Sequence, residues 1–255
     1  MEFVDTHCHI HFPDYELDPI DVIDSAAKEG VTRLMCVGCT LKDSEMGITM
    51  AQRYSNVWAS IGLHPHEAKE YVHDHVALQH FRDLASKPKV LAVGEIGLDY
   101  YYEHSSKSDQ EKLLRFQLDV AQEHDLPVIF HVRDAFDDFW PIFDQYKAIR
   151  GVVHSFSAGI AELDQIVSRG LYVGLNGIMT FTKDQKQLDA AKAVPLSKLL
   201  LETDAPFLTP KPFRGTICQP KHVRVTAEFL SELRGEPLDM LAANTTENAR
   251  TLFNI

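Results

Sequence analysis

The sequence predicts an α/β protein with the (β/α)8 barrel, or TIM barrel, fold, formed by one domain over residues 1–255. Two observations support this prediction. Short apolar segments alternate with amphipathic segments along the whole chain, and eight of the apolar segments have the length of a strand. Parallel strands need crossover connections, which the amphipathic segments supply as helices. Eight such strands fit a closed barrel better than an open sheet.

The predicted elements follow one another in a regular order. The apolar segments rich in Val, Ile and Leu cover residues 2–6, 31–37, 57–62, 90–94, 127–131, 151–154, 171–175 and 198–203. Helical spacing of apolar residues predicts helices at 20–29, 108–124, 158–169, 221–234 and 238–253. The third of these follows Ser157, a capping residue, and precedes Gly170. We interpret the proline-rich residues 206–220 as a loop after the last strand.

Composition limits the classes of partner. Lys and Arg number 25 and Asp and Glu number 37, so the formal net charge is −12. Proteins that coat nucleic acid are usually basic, and a polyanionic substrate would need a local positive site such as bound metal cations. No apolar run approaches the roughly 20 residues of a membrane span. We therefore expect a cytoplasmic protein without a membrane partner, and a monomer, since the sequence indicates no protein partner.

The cysteines do not form a recognisable zinc or disulfide framework. Cys36 and Cys39 have the spacing of a redox or zinc motif, but the other two, Cys8 and Cys218, do not form a second pair of that kind. We expect reduced cysteines that are mostly core residues.

Six residues of types that commonly bind metals lie at, or just after, the carboxyl ends of the predicted strands. They are His7, His9, Glu95, His131, His154 and Asp204. The carboxyl ends of barrel strands converge on one face, where catalytic loops gather. One histidine at a strand end is more often structural, but six ligand-type residues at five strand ends are difficult to explain by chance. Four imidazoles and two carboxylates predict a metal site with enough ligands for two divalent ions.

The chain resembles the TatD family of metal-dependent hydrolases, within the amidohydrolase-like barrels. The resemblance covers nearly the whole chain. It rests on residues 3–9 (FVDTHCH), 62–65 (GLHP), 94–100 (GEIGLDY), 128–133 (VIFHVR), 154–159 (HSFSAG), 200–206 (LLETDAP) and 248–253 (NARTLF). The family includes magnesium- or manganese-dependent deoxyribonucleases, some with 3′-to-5′ exonuclease activity. Other members deacylate D-aminoacyl-tRNA. The resemblance therefore implies hydrolysis at a nucleic-acid end, of either a phosphodiester or an ester bond.

The resemblance also implies roles for the ligand-type residues. His7, His9, Glu95 and Asp204 would hold the first metal. Glu95 would bridge to a second metal, completed by the two remaining histidines of the set. Asp204 is also a candidate general base, with a role as ligand only as the alternative. The imidazoles favour zinc, manganese or iron, whereas the family's usual assays favour magnesium or manganese, so the identity of the two ions stays open.

Further residues are candidates for substrate binding. His64 follows the third strand, Arg133 is two residues beyond a candidate ligand, and Arg214 lies in the loop after the last strand. Each can contact a phosphate, and each has a structural alternative as a loop histidine or a surface ion pair. Glu202, two residues before Asp204, is more often a carboxylate that supports a neighbouring ligand or the structure than a ligand itself. Residues 100–102 are three tyrosines that offer a stacking surface for a base or pack the loop.

One departure from the family pattern concerns substrate choice. Family members often carry Asn-x-Pro or Asn-Glu-Pro in the loop after the last strand, whereas this chain has Cys218 and Gln219 before Pro220. The predicted metal ligands are not affected.

Two other functions remain open at the level of the sequence. The first keeps the metals and changes the bond, as in a D-aminoacyl-tRNA deacylase or another ester or amide hydrolase. The negative net charge favours short nucleic-acid ends or small substrates. The second is a metal-binding scaffold without turnover, which the complete ligand set disfavours.

Overall fold

The structure, a computed structural model, describes residues 1–102 and 104–255. The strands of this part of the chain are β1 (Phe3–Cys8), β2 (Val31–Val37), β3 (Val57–Ile61), β4 (Val90–Asp99), β5 (Val128–Arg133), β6 (Gly151–Val153), β7 (Tyr172–Leu175) and β8 (Leu199–Leu201). The helices are α1 (Pro19–Lys28), α2 (Leu41–Arg53), α3 (Ala68–Tyr71), α4 (His75–Leu84), α5 (Lys107–Glu123), α6 (Phe136–Phe143), α7 (Ile160–Ser168), α8 (Gln185–Ala193), α9 (Val223–Arg234) and α10 (Leu238–Phe253).

The predicted (β/α)8 fold is confirmed over the described residues. The strands form one sheet in the order β1 to β8, which is also their order in the chain. The pairs β3–β4, β4–β5, β5–β6 and β7–β8 are parallel. A helix lies between each strand and the next in the chain, as crossover connections require.

Several elements differ from the prediction. Strand β4 runs to Asp99 rather than ending at Gly94, so Glu95 lies within the strand. Helices α2, α3, α4, α6 and α8 have no counterpart among the predicted helices. Gly47 lies inside α2 and Pro141 inside α6, and such residues ordinarily indicate an interruption of a helix.

The chain contains two compact units, and the first comprises residues 1–35 and 154–255. All six residues of β1 are buried, and α10 packs against β1 and β8. The side-chain amide of Asn248 on α10 donates hydrogen bonds to the carbonyl oxygens of Leu196 (2.9 Å) and Leu199 (2.8 Å), where β8 begins. A parallel bridge between Cys8 and Ala205 joins the end of β1 to the segment after β8. The carboxyl ends of these two strands are therefore neighbours.

The second unit comprises residues 36–153 and contains β3 to β6. Helix α5 packs against β4 and carries two buried glutamines seven residues apart, Gln110 and Gln117. Gln117 accepts from the Leu63 N–H (2.7 Å) and donates to the Leu63 carbonyl (3.0 Å). Gln110 makes the same pair of bonds with Asp99, at 2.8 and 3.0 Å. The helix thereby fixes the backbone after β3 and at the end of β4. The predicted single domain over residues 1–255 stays a prediction.

Candidate metal centre

Three ligand atoms converge where β1 and β8 end. His7 Nε2 lies 3.1 Å from His9 Nε2, and Asp204 Oδ1 lies 3.4 and 3.2 Å from these two nitrogens. Nitrogen and oxygen ligands bind divalent ions such as zinc at about 2.0–2.2 Å, which places neighbouring ligands about 3.0–3.5 Å apart. The triangle has these edges. The three side chains therefore fit a divalent cation.

A buried carboxylate holds the two strand ends in register. Asp5 Oδ1 accepts from the backbone N–H groups of His7 (3.2 Å) and Thr203 (3.0 Å), and Oδ2 accepts from the Thr203 hydroxyl (2.6 Å). The Asp204 N–H donates to the His7 carbonyl at 2.8 Å. Burial raises the pKa of Asp5 well above its usual value. These contacts set the positions of the residues that carry the triangle.

Two more side chains lie beside His7 in the same unit. The His154 ring stacks on the His7 ring, with centroids 4.0 Å apart and planes 12° apart. Glu202 Oε1 lies 3.7 Å from His154 Nδ1 and accepts from the Ser155 N–H at 2.6 Å. His7, His154 and Glu202 are all buried and offer ligand atoms within 4.8 Å of one another. Glu202 therefore lies in a group that can hold a metal, and its interpretation as a carboxylate that supports a ligand or the fold, rather than as a ligand, stays a prediction.

The second unit brings together His64, Glu95 and His131. Glu95 Oε1 lies 2.7 Å from His131 Nδ1 and 3.5 Å from His64 Nε2. The Glu95 side chain is buried, and the backbone N–H of Glu95 donates to the Gly38 carbonyl at 2.9 Å. Ligand atoms of the three residues lie within 4.8 Å of one another, so this group also fits a cation. Burial lowers the pKa of His64 to about 4, although the Glu95 carboxylate acts in the opposite direction.

Sequence reasoning assigned no specific role to Asp99, which lies at the centre of this part of the site. Its Oδ2 is 2.9 Å from His131 Nε2 and 3.0 Å from His66 Nε2. Its Oδ1 accepts from the N–H groups of Tyr101 and Tyr102, both at 3.0 Å. Burial raises the pKa of Asp99, but the hydrogen bonds from His131, His66 and the backbone outweigh it and hold the pKa well below its usual value. Asp99 is therefore an ionised acceptor beside a predicted ligand.

The two arginines that the sequence predicts to bind substrate contact aromatic rings. The Arg133 guanidinium carbon lies 4.0 Å from the centre of the Tyr101 ring and 4.8 Å from that of Tyr102. The Arg214 guanidinium lies 4.0 Å from the Phe181 ring centre and donates to the Thr209 carbonyl at 2.9 Å. Their binding of phosphate stays a prediction.

Comparison with known proteins decides the family. The model of the TatD-related DNase family matches residues 4–254. The chain belongs to the TatD family. It is 35% identical over 253 residues to a Bacillus subtilis TatD relative described as the uncharacterized metal-dependent hydrolase YabD, with 98% of each chain covered. It is 32% identical over 246 residues to the 3′-5′ ssDNA/RNA exonuclease TatD of Escherichia coli K12, covering 93% of this chain and 94% of that one.

A solved structure of a TatD homologue agrees with the fold. The crystal structure of YjjV from Escherichia coli K12 superposes with a TM-score of 0.92 at 33% identity, covering 99% of this chain and 98% of that one. The chain is thus a TatD-type metal-dependent hydrolase, and its clusters of histidine and carboxylate side chains fit divalent metal binding. Within the described residues of this TatD-family protein, no helix has both the length and the apolar content needed to cross a membrane.

Proposed function

We propose that this TatD-family hydrolase is a divalent-metal-dependent deoxyribonuclease that cleaves phosphodiester bonds from the 3′ end of a single strand. The observation that carries the proposal is the triangle of ligand atoms from His7, His9 and Asp204. The distances between these atoms are those expected between ligands of one metal ion. The relative named as a 3′-5′ ssDNA/RNA exonuclease supports the choice of bond and substrate.

The proposed ligands divide between the two units. His7, His9 and Asp204 would hold one divalent cation, with the His154 ring stacked on His7. Glu95 and His131 would hold a second. The sharing of Glu95 by both ions and the place of His154 among the ligands of the second ion stay predictions. Imidazole nitrogens in both groups favour zinc or manganese over magnesium. When bound, such ions lower the pKa of water to near neutrality and polarise phosphoryl oxygens.

Asp204 is suited to act both as ligand and as base. Burial alone would raise its pKa, but the hydrogen bond from His9 and the nearby imidazoles of His7 and His154 hold the pKa below its usual value. The carboxylate is therefore ionised at neutral pH. An ionised carboxylate within hydrogen-bonding reach of the attacking water can orient it and accept its proton.

His64 is suited to donate a hydrogen bond to the substrate. The His66 N–H donates to His64 Nδ1 at 3.2 Å, so the neutral ring carries its proton on Nε2. This N–H faces Glu95 Oε1 at 3.5 Å, at the edge of hydrogen-bonding distance. We propose that this N–H donates to a phosphoryl oxygen of the substrate, where charge develops during the reaction, so His64 is not among the proposed metal ligands.

The test uses metal-free protein and two substrates, bis(p-nitrophenyl) phosphate and a 5′-labelled single-stranded oligonucleotide. Adding manganese should start cleavage of both and shorten the oligonucleotide stepwise from its 3′ end. Asp204→Asn and Glu95→Gln should reduce kcat by at least 100-fold with metal saturating, whereas Asp24→Asn, at an exposed position on α1, should not. Circular dichroism checks that each variant folds.

Two results would contradict the proposal. Wild-type rates in either ligand variant at saturating metal would remove the assigned roles. Metal-stimulated hydrolysis of D-aminoacyl-tRNA or simple esters, without cleavage of any oligonucleotide, would replace the nuclease with the ester hydrolase. A cytoplasmic location and a monomeric state stay predictions.

A further inference from the structure

Two exposed tyrosines lie in the loop between β4 and α5. Tyr101 is 57% exposed and Tyr102 is 43% exposed, and their rings meet edge to face with centroids 4.7 Å apart. The Arg133 guanidinium lies over both rings, yet more than half of the Tyr101 surface remains in solvent. The group combines aromatic faces with a cation, which is the composition of surfaces that stack unpaired bases.

The tyrosine pair is tied to the candidate metal centre through one residue. Asp99 Oδ1 accepts hydrogen bonds from the backbone N–H groups of both tyrosines, and Asp99 Oδ2 accepts one from His131 Nε2. Gln110 fixes the Asp99 backbone from α5. Asp99 therefore anchors the backbone of both tyrosines beside a predicted ligand, His131, and places their side chains near the candidate metal centre.

A cavity of about 310 Å³ adjoins the same loop, a size within the range of ligand pockets. Its lining includes Lys69, Lys107, Asp99, Ser105 and Ser106. The two lysines supply positive charge, whereas the Ser105 and Ser106 hydroxyls already donate to the His66 carbonyl and the Asp109 carboxylate. The negative charge of Asp99 is already engaged by four hydrogen-bond donors. The cavity therefore suits an anionic group.

We propose that this loop is a nucleotide subsite, in which Tyr101, Tyr102 and Arg133 stack an unpaired base and Lys69 and Lys107 contact a backbone phosphate. The inference rests on the proposed nuclease function and deepens it. Only a single strand offers the free face of a base to such a surface. The substrate class that it selects is single-stranded nucleic acid rather than a duplex or a small ester.

The first experiment measures selectivity between two substrates. The ratio of kcat/KM for a single-stranded oligonucleotide to kcat/KM for bis(p-nitrophenyl) phosphate should fall about 10-fold or more in Tyr101→Ala, through KM. Tyr101→Phe keeps the ring and should keep the ratio. Tyr172→Ala is a matched control, because Tyr172 also packs under a cation, the Lys198 ammonium at 4.6 Å, but begins a strand rather than following one. An unchanged ratio in Tyr101→Ala would overturn the subsite.

The second experiment measures binding without turnover. Fluorescence anisotropy with a labelled phosphorothioate oligonucleotide, which resists cleavage, gives Kd at several salt concentrations. The double variant Lys69→Ala, Lys107→Ala should reduce the slope of log Kd against log salt by about 0.7, the value for the loss of one phosphate contact on a single strand. An unchanged slope would overturn the phosphate contacts.

These measurements separate the two proposals. If wild type binds the oligonucleotide and Tyr101→Ala weakens binding, but no DNA is cleaved with any metal, the nuclease function fails and the subsite stands. If DNA is cleaved and Tyr101→Ala binds like wild type, the subsite fails and the nuclease function stands.

Discussion

Asp99 accepts a hydrogen bond from His131, with 2.9 Å between Oδ2 and Nε2. The low pKa of Asp99 leaves it ionised, so Nε2 of the imidazole donates to it. The other ring nitrogen, Nδ1, lies 2.7 Å from Glu95 Oε1 and is the atom that would bind the second metal. A carboxylate that orients a histidine in this way fixes its tautomer and increases its basicity as a metal ligand. The pair thus connects the end of β4 to the proposed second metal.

Replacing Asp99 by asparagine should weaken metal binding without removing the fold. The Asp99→Asn side chain keeps an amide oxygen for the Tyr101 and Tyr102 N–H groups but no longer offers a charged acceptor to His131. Loss of such an orienting partner typically reduces metal affinity about 10- to 100-fold. Isothermal titration of metal-free protein with manganese measures this, and wild-type affinity would show that Asp99 does not position the histidine.

Removing the buried amide of Gln117 should destabilise the second unit. Gln117→Leu leaves the Leu63 N–H and carbonyl without their partner, and an unsatisfied buried backbone group costs about 1–3 kcal/mol. Urea denaturation gives the free energy of unfolding. Gln122→Leu is the matched control, because Gln122 is exposed near the end of the same helix, and its effect should stay within about 0.5 kcal/mol. Equal effects of the two substitutions would contradict the role of Gln117.

The bond between Asp5 and Thr203 should matter for both stability and metal binding in the first unit. Thr203→Val removes the hydroxyl that donates to Asp5 Oδ2 at 2.6 Å and should cost about 1–3 kcal/mol of unfolding free energy. Thr251→Val, at an exposed position on α10, is the control. Because Thr203 precedes Asp204, manganese affinity should fall as well. A variant as stable as wild type would show that the hydrogen bond between Thr203 and Asp5 does not stabilise the two strand ends.

The buried His222 should make the free energy of unfolding decrease at acidic pH. Burial lowers the pKa of His222 to about 4, and its Nδ1 accepts from the Gln219 N–H at 3.2 Å. The stability that depends on a neutral His222 ring is fully present above the unfolded-state pKa of about 6.5. It is lost as the pH falls through the folded-state pKa of about 4, because the unfolded state takes up the proton more readily. His222→Asn should therefore flatten the pH dependence of stability between pH 6.5 and 4. His73→Asn, at an exposed position, should leave it as in wild type.

The sequence predicts the fold well because the fold depends on a pattern. The alternation of apolar and amphipathic segments is enough to place all strands of the described chain near their observed positions. The end of β4 is the exception. Gly94 and Gly97 resemble a strand end, but a side chain at Gly97 would collide with the His131 carbonyl, so glycine permits close pairing of β4 with β5. Local sequence does not show which neighbour a glycine must approach.

The metal centre was predictable in part for the same reason. His7 and His9 alternate on one strand end, and Asp204 follows another, so their meeting follows from the topology. Glu202 is two residues before Asp204, and the same alternation was a signal for its place beside His154. The role of Asp99 depends on Gln110, eleven residues away on α5, and no local pattern shows a side chain's choice of a distant backbone partner.

Anomalous diffraction from crystals soaked in manganese tests the central claim most directly. A peak should lie about 2.0–2.3 Å from His7 Nε2, His9 Nε2 and Asp204 Oδ1 together, and it should disappear in His9→Ala. Saturating manganese that leaves this triangle without a peak, while the soaked protein hydrolyses its substrate, would contradict the account.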